Sequence, residues 1–203
     1  MDDKYYTIAK PAHHEIKIKG SLFLAECGLV ASIDEAMEIL EAIRKREHAA
    51  THHCYAWRVG LFDQSTFKYS DDGEPSGTAG KPIYDVINGR EIDNVIVVVT
   101  RYYGGTKLGT GGLVRAYSEA AIGAIDKAGK KMNYLTSQIK VEIDFSLYDK
   151  LSRLTGKLGA KQISSEYSDM VNLIIEIRQN LSDVLIEEII QLSSGKAKIE
   201  KIS

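Results

Sequence analysis

Alternating apolar and polar residues in the last third of the chain predict a small domain of mixed secondary structure. Ile139, Val141 and Ile143 alternate with charged residues, which is the period of a strand with one face in water. Leucines at positions 147, 151, 154 and 158 then lie on one face of a helix that ends near Gly159. The region therefore begins with a strand followed by a helix.

The same patterning continues to the end of the chain. Two strands are predicted over residues 161–168 and 171–177. Ser182 or Asp183 is expected to cap a second helix, which a short strand over residues 197–202 follows. The order βαββαβ predicts a ferredoxin-like fold.

The first part of the chain predicts strands, a helix, strands, a helix, a strand and a helix. Residues 95–99 form a continuous β-branched run, which predicts a buried central strand. Ser32 with Glu35 at the third helical position is a capping box and predicts a helix start. We expect an α+β protein with an N-terminal β/α domain over residues 1–135 and a C-terminal domain over residues 136–203. Other strands are predicted over residues 5–8, 15–19, 23–29, 55–59 and 66–69, and helices over residues 79–88 and 113–128.

Composition and charge limit the classes of function. The formal net charge is -2, so contact with nucleic acid would need a local basic patch. No apolar run approaches the roughly 18 residues of a membrane span, and the start of the chain lacks a signal-peptide core. We expect a cytoplasmic protein with no membrane partner. Cys27 and Cys54 form no CxxC pair and are expected to be reduced core thiols.

The first candidate site is the loop DDGEPSGTAGK, which starts at Asp71. Asp71, Asp72 and Glu74 could serve as an acid, a base or oxygen ligands of a hard cation. The alternative is a structural turn in which Ser76 or Thr78 caps the following helix. The spacing matches neither an EF-hand nor a P-loop, and both alternatives stay open.

The second candidate site is the glycine-rich segment after the predicted central strand. Such a turn exposes backbone N–H groups at a helix start, where the helix dipole favours an anion. The spacing of the glycines fits neither GxGxxG nor GxxxxGK[ST], which disfavours a Rossmann or Walker site. The residues assigned to binding of an anion or nucleic acid are Arg101, Tyr102, Gly104, Gly105, Lys107, Gly109, Gly111, Gly112 and Arg115.

The glycine segment also has a purely structural interpretation. Its glycines could be required for positive φ or close packing, and Arg101 could pair with the acidic loop. Tyr102 and Tyr103 would offer stacking surfaces to RNA, but one of two neighbouring strand residues normally faces the core. The two interpretations stay open.

A third cluster comprises His48, His52, His53 and Cys54. His52 and Cys54 could share one face of a strand, as a Cys–His nucleophile would require. A zinc site would need ligands from another cluster, and the sequence offers none in recognisable form. Packing or polar support is the favoured interpretation, and no metal is predicted.

Two segments resemble the signature of the IMPACT/YigZ family: DDGEPSGTAGKPIYDVI and VVVTRYYGGTKLGTGGLVRAYSEAA. The resemblance extends upstream through EIKIKGSLFLAECG and HHCYAWRVG, and residues 136–203 resemble the appended C-terminal domain of bacterial members. The positions that match are Asp71, Asp72, Gly73, Glu74, Pro75 and Gly77 in the acidic motif, and Arg101, Tyr102, Gly104, Gly105, Gly109, Gly111, Gly112, Leu113 and Arg115 in the glycine motif.

The resemblance implies a fold and a cellular setting. The N-terminal domain would be related to the second domain of a small-subunit ribosomal protein, and the C-terminal domain to domain V of elongation factor G. Eukaryotic members regulate translation through protein contacts that affect the general-control kinase, a system that bacteria lack. The resemblance therefore implies only a general link to translation or RNA, and no catalytic residues.

The leading hypothesis is a non-enzymatic regulatory protein that binds RNA, the ribosome or a translation factor through Arg101, Lys107 and Arg115. It requires no cofactor. The alternative is an enzyme acting on a phosphorylated small molecule or nucleotide, with Asp72 or Glu74 as acid, base or magnesium ligand. A third possibility is a regulator whose loops recognise a polypeptide. The sequence shows neither a basic stretch or RNA-recognition consensus nor an assembled nucleophile and base. It therefore discriminates only modestly between these hypotheses, and it makes no prediction of oligomeric state.

Overall fold

The computed structural model describes residues 3–202 of the chain. These residues divide into two compact units, one of residues 5–133 and the other of residues 3–4 with 134–202. No helix within the described range is long and apolar enough to cross a membrane.

The first seven strands of the chain are β1 (Lys4–Ile8), β2 (Ala12–Ile18), β3 (Ser21–Leu29), β4 (His52–Val59), β5 (Thr66–Ser70), β6 (Val95–Tyr102) and β7 (Lys130–Tyr134). A five-stranded antiparallel sheet organises the first unit, in the order β2-β3-β6-β4-β5. β6 is central, as predicted, and its residues 95–99 are buried because helices cover both faces of the sheet. A separate two-stranded sheet, β1-β7, includes a strand that was not predicted.

Three helices of this unit are α1 (Ile33–Arg46), α2 (Gly80–Gly89) and α3 (Thr110–Ala128). α1 packs on one face of the sheet, and α2 and α3 pack on the other. The predicted capping box is confirmed, since the Glu35 N–H donates to Ser32 Oγ over 3.1 Å. The Glu35 carboxylate accepts in return from the N–H of Ala31.

The register of the sheet places three predicted side chains near one another. His52 on β4 lies opposite Arg101 on β6, and Cys54 lies opposite Val99. Alternation along β4 therefore directs His52 and Cys54 to the face covered by α2 and α3. Both cysteines are buried free thiols, as expected.

The elements of the second unit are β8 (Thr136–Ile143), α4 (Tyr148–Lys157), β9 (Lys161–Tyr167), β10 (Val171–Arg178), α5 (Ser182–Ser193) and β11 (Lys198–Lys201). They have the predicted βαββαβ order and form a sheet of order β11-β8-β10-β9, which confirms the ferredoxin-like fold. Apolar residues of β8 and β10 alternate into one core with Leu151, Leu185 and Ile189. The predicted cap at Ser182 or Asp183 is wrong. The helix begins at Ser182 itself, whose hydroxyl donates to the Gln179 carbonyl, and no side chain caps it.

Candidate functional site

Asp71 organises the acidic loop between β5 and α2. Its Oδ1 accepts from the N–H groups of Ala79 and Gly80 at 2.9 and 2.8 Å, and its Oδ2 accepts from the Gly77 N–H at 2.8 Å. Asp71 therefore caps the free N–H groups at the start of α2, a role that the turn interpretation gave to Ser76 or Thr78. Thr78 instead donates its hydroxyl proton to the Pro75 carbonyl.

Asp72 ties the loop to the rest of the unit. It has a positive φ of 45°, and its Oδ1 accepts from Arg44 on α1 at 3.0 Å. Its Oδ2 accepts from the backbone N–H of His53 at 2.7 Å. Its carbonyl oxygen lies 2.8 Å from Nδ1 of His52, so that nitrogen carries the proton. Asp72 thus connects α1, β4 and the loop.

Glu74 and Arg101 join the acidic loop to β6 in a buried ion pair. Nη1 of Arg101 donates to Oε1 of Glu74 at 2.6 Å, and the side chains are 6% and 4% exposed. Oε1 of Glu74 also accepts from the Tyr117 hydroxyl at 2.7 Å. Nη2 of Arg101 donates to the Ser21 hydroxyl at 3.3 Å. The two candidate sites therefore bind each other, as the structural interpretation anticipated.

A neutral thiol and phenol lie beneath this ion pair. Sγ of Cys54 is 3.3 Å from the Tyr117 oxygen and 3.0 Å from the Asp71 carbonyl oxygen. Burial raises the pKa of the Cys54 thiol and of the Tyr117 phenol well above their ordinary values. A thiol that stays protonated is a poor nucleophile, so the geometry does not favour a Cys–His pair.

The glycine loop has parts with different structural demands. A Cβ on Gly104 would lie 1.9 Å from the backbone of Gly20, so only glycine permits this approach. Gly109 precedes α3 with a φ of 73°, a conformation that side chains rarely adopt. A Cβ on Gly111, in contrast, would meet open space. The structural interpretation thus accounts for Gly104 and Gly109 and leaves Gly111 unexplained.

Positive charge at the start of α3 is not neutralised. The first turn of α3 has no acidic residue, and no side chain caps its N–H groups. Lys107 and Arg115 are exposed, and within residues 3–202 neither takes part in an ion pair. The electropositive end of the helix, Lys107 just before it and Arg115 on its second turn are therefore each exposed to solvent without a neutralising partner in that range.

The two neighbouring tyrosines have different environments. The Tyr102 hydroxyl donates to Oε2 of Glu47 at 2.8 Å, and this bond raises the pKa of the phenol. Tyr103 is 47% exposed, and its ring centroid lies 5.4 Å from Cζ of Arg101. Tyr103 is thus the better placed of the two to meet a ligand, although the sequence assigned Tyr102.

A cleft of about 520 Å³ opens between the two loops. Of the residues assigned from sequence, Glu74, Arg101, Lys107 and Gly109 line it. The assigned residues that do not line it are Asp71, Asp72, Tyr102, Gly104, Gly105, Gly111, Gly112 and Arg115. Alternation along β4 could have indicated His52, but the apolar wall carried no sequence signal. The other lining residues are Thr51, His52, Pro75, Tyr103, Leu108, Thr110 and Leu113.

The acidic and histidine-rich segments do not assemble ligands for a metal. Within residues 3–202, no group of three or more His, Cys, Asp or Glu side chains is placed to hold an ion. Nε2 of His52 lies 3.9 Å from Oε1 of Glu74, on the cleft. His53 instead directs Nε2 to the Glu47 carbonyl oxygen at 3.2 Å.

Comparison with known proteins identifies the family. Residues 19–125 match the Impact N-terminal domain, and residues 141–196 match a domain of unknown function, DUF1949. The IMPACT family member YvyE of Bacillus subtilis is 33% identical over 204 residues, which cover 99% of this chain and 92% of the relative. An IMPACT family member of Thermus thermophilus is 39% identical over 149 residues, or 73% of this chain and 78% of the relative.

A solved structure covers both units. The crystal structure of a hypothetical protein has a TM-score of 0.70 and 28% sequence identity, and the match covers 100% of this chain and 99% of that one. Sequence and structural similarity thus extend over the same two-part architecture. The chain belongs to the IMPACT family.

Proposed function

We propose that this chain is a non-enzymatic, translation-associated regulatory protein that binds RNA, free or within the ribosome, through its glycine-rich basic loop. One observation carries the proposal. Lys107 and the uncapped start of α3 present unneutralised positive charge at the cleft, and the exposed Arg115 adds a cation on the second turn of the same helix, outside the cleft lining. Backbone N–H groups at a helix start and basic side chains are the groups that bind phosphate in proteins.

The positive charge near the start of α3 can attract nucleic acid only at short range. The net charge of the chain is -2, so general attraction to nucleic acid is weak. Arg101 belongs to the floor of the cleft, where Glu74 balances its charge. Lys107 and Arg115 therefore supply the surplus charge for phosphate, while Arg101 holds the two loops together.

The translation setting is supported by resemblance rather than by the geometry of the cleft. Both units resemble domains that work on the ribosome, and eukaryotic relatives in the IMPACT family regulate translation. A ribosome or a translation factor would then present the RNA or stand beside it. The C-terminal sheet would provide a second surface for such a partner.

Binding to RNA and to ribosomes at low salt tests the proposal. Replacing Lys107 and Arg115 together by alanine should weaken association by at least tenfold, on the order of 1.4 kcal/mol. Lys127→Ala is the matched control, because Lys127 lies in the last turn of the same helix. Undetectable RNA and ribosome binding by the intact chain, or equal affinity of the double variant, would refute the proposal.

An enzyme acting on a phosphorylated small molecule or nucleotide is the second candidate. It is supported by the carboxylate of Glu74 and the imidazole of His52, which lie 3.9 Å apart on the cleft. Asp72 and Glu74 both already accept from arginines, which disfavours them as magnesium ligands. Incubation with nucleotides and sugar phosphates, with and without Mg²⁺, should yield no product. Product formation that His52→Ala abolishes would establish the enzyme instead.

A further inference from the structure

The walls of the cleft differ in chemistry from its rim. Pro75, Tyr103, Leu108 and Leu113 give the walls an apolar lining, in which Leu113 is buried and Pro75 and Tyr103 are exposed. The rim holds Lys107 and the start of α3. A lone phosphate would use only the rim, so the apolar lining calls for a ligand that also has a flat apolar part.

Tyr103 is suited to hold such a flat group. The Arg101 guanidinium lies 5.4 Å from the centroid of its ring, and the side chain remains 47% exposed. Cation–π contact therefore steadies the ring without covering it. RNA bases that are not paired commonly stack on aromatic side chains of this kind.

Arg101 forms the polar floor of the cleft, and its hydrogen bonding is incomplete. Its side chain is 6% exposed and lines the cleft, yet its Nε has no acceptor within the described part of the chain. Buried donors without partners are rare in folded proteins. This atom is itself shielded from the cleft, so we assign it no contact with a ligand.

The volume of the cleft limits which ligands with both a ring and a phosphate can enter it. A volume of about 520 Å³ lies within the range of small-molecule sites and accommodates a nucleotide rather than a helix. Bases within a duplex are stacked and paired, so they do not expose a face to a protein wall. The cleft thus favours a single unstacked nucleotide.

We propose that the cleft receives one unstacked nucleotide of a single-stranded RNA, with its base on Tyr103 and its phosphate at the first turn of α3. This inference rests on the proposed function and specifies the RNA that it would recognise. It also gives Gly111 a role, since a glycine in the first turn lets a phosphate approach the backbone. Free nucleotide and RNA share this chemistry, and separate arms of the experiment distinguish them.

Fluorescence anisotropy of a labelled single-stranded RNA octamer and of the matching duplex measures the affinity of the protein for each. Competition with AMP or inorganic phosphate then measures how well each displaces the single strand. The single strand should bind at least tenfold more tightly than the duplex, and AMP should displace it better than phosphate. Tyr103→Ala should weaken single-strand binding about tenfold, and Tyr103→Phe should retain the ring and most of the affinity. Tyr69→Ala is the control, since Tyr69 is 40% exposed and packs beside Phe67 and Tyr84, outside the cleft.

A second pair of variants tests the position of the phosphate. Gly111→Asp places a carboxylate at the start of α3, where the added Cβ has open space. It should stabilise the helix yet weaken RNA and AMP binding at least tenfold. Gly111→Asn has similar size without charge and should weaken binding less. This design separates loss of binding from loss of folding, because the aspartate variant should unfold no more easily than the wild type.

The outcomes separate this inference from the proposed function. One outcome is equal affinity for single strand and duplex that Tyr103→Ala leaves unchanged and that replacement of Lys107 and Arg115 by alanine abolishes. It overturns the nucleotide cleft and leaves RNA binding standing. Displacement by phosphate as effective as by AMP also overturns it. AMP binding that depends on Tyr103, without any RNA binding, supports the chemistry of the cleft and overturns the RNA function.

Discussion

Glu74 and Arg101 form the polar centre of the cleft. Because both side chains are buried, substitution of either one is expected to lower the free energy of unfolding. Arg101→Met should reduce the free energy of unfolding by about 3–5 kcal/mol, because it leaves the Glu74 carboxylate buried without its cation. Adding Glu74→Gln should recover part of this loss. Urea denaturation measures both effects.

An exposed ion pair provides the control for that measurement. Arg90 and Asp126 lie 2.6 Å apart with side chains 44% and 51% exposed, so Arg90→Met should cost less than about 1 kcal/mol. Strictly additive losses in the Glu74→Gln/Arg101→Met double variant would show that the two side chains do not depend on each other.

Cys54 and Tyr117 should make the stability of the fold fall in alkaline solution. Burial holds the pKa of Cys54 above its ordinary value of 9.0 and that of Tyr117 above 10.0. The unfolded chain releases the thiol proton above about pH 9 and the phenol proton above about pH 10, while the folded chain retains both. The contribution of the thiol is therefore fully present below pH 9 and lost at about 1.4 kcal/mol per pH unit above it.

Unfolding in urea between about pH 8 and pH 10.5 measures this dependence. Cys54→Ala should make the decline shallower without removing it, since burial also raises the pKa of Cys27. An identical slope in the wild type and the variant would show that the Cys54 thiol ionises as readily folded as unfolded.

The residue scale also shows what the sequence could not predict. The acidic and glycine motifs were evident from their composition, but Glu74 and Arg101 lie 27 positions apart. Their contact depends on the register that sets His52 opposite Arg101, and several registers satisfy the same apolar alternation. The sequence therefore left open whether the loops bind each other or a ligand, and the cleft admits both.

At the scale of elements, the junction of β6 and α3 depends on one close backbone contact. Gly104→Ala should lower the free energy of unfolding by about 3 kcal/mol, because its Cβ would lie 1.9 Å from the Gly20 backbone. Gly111→Ala, in the same motif, should raise it by up to about 1 kcal/mol, since that position is helical and open. Thermal and urea unfolding of the two variants should shift in opposite directions. A similar loss of unfolding free energy in both variants would mean that the two glycines act through backbone flexibility alone, and not through the close contact at Gly104.

Predictable elements were those with strong local signals. The capping box at Ser32 and the β-branched run of β6 located α1 and the central strand. β7 escaped prediction because its sequence KKMNY is mostly polar and has no apolar alternation. Asp71 was missed as a helix cap because it precedes Gly80 by nine positions, beyond the spacing of local capping motifs.

At the scale of the whole molecule, the periodicity of apolar residues predicted the architecture. The overall composition was a poorer guide to where charged groups are placed. The ferredoxin-like unit follows from its βαββαβ order, since the core positions of β8 and β10 alternate clearly. The balance of 26 basic and 28 acidic residues, in contrast, conceals where charge collects. Ion pairs neutralise Arg44, Arg46, Arg58 and Arg101, whereas the cations at the glycine loop remain unpaired among residues 3–202.

This distribution of charge predicts a shallow dependence of RNA affinity on salt. If Lys107 and Arg115 each neutralise one phosphate of a single strand, the logarithm of the association constant should fall against the logarithm of salt with a slope of about -1.4. Titrations between about 50 and 200 mM salt measure the slope. Each alanine variant should bring it closer to zero by about 0.7, and Lys127→Ala should leave it unchanged. A slope near -4 that neither variant alters would place most phosphate contacts outside the glycine loop, because a chain of net charge -2 can produce so steep a dependence only through another basic surface.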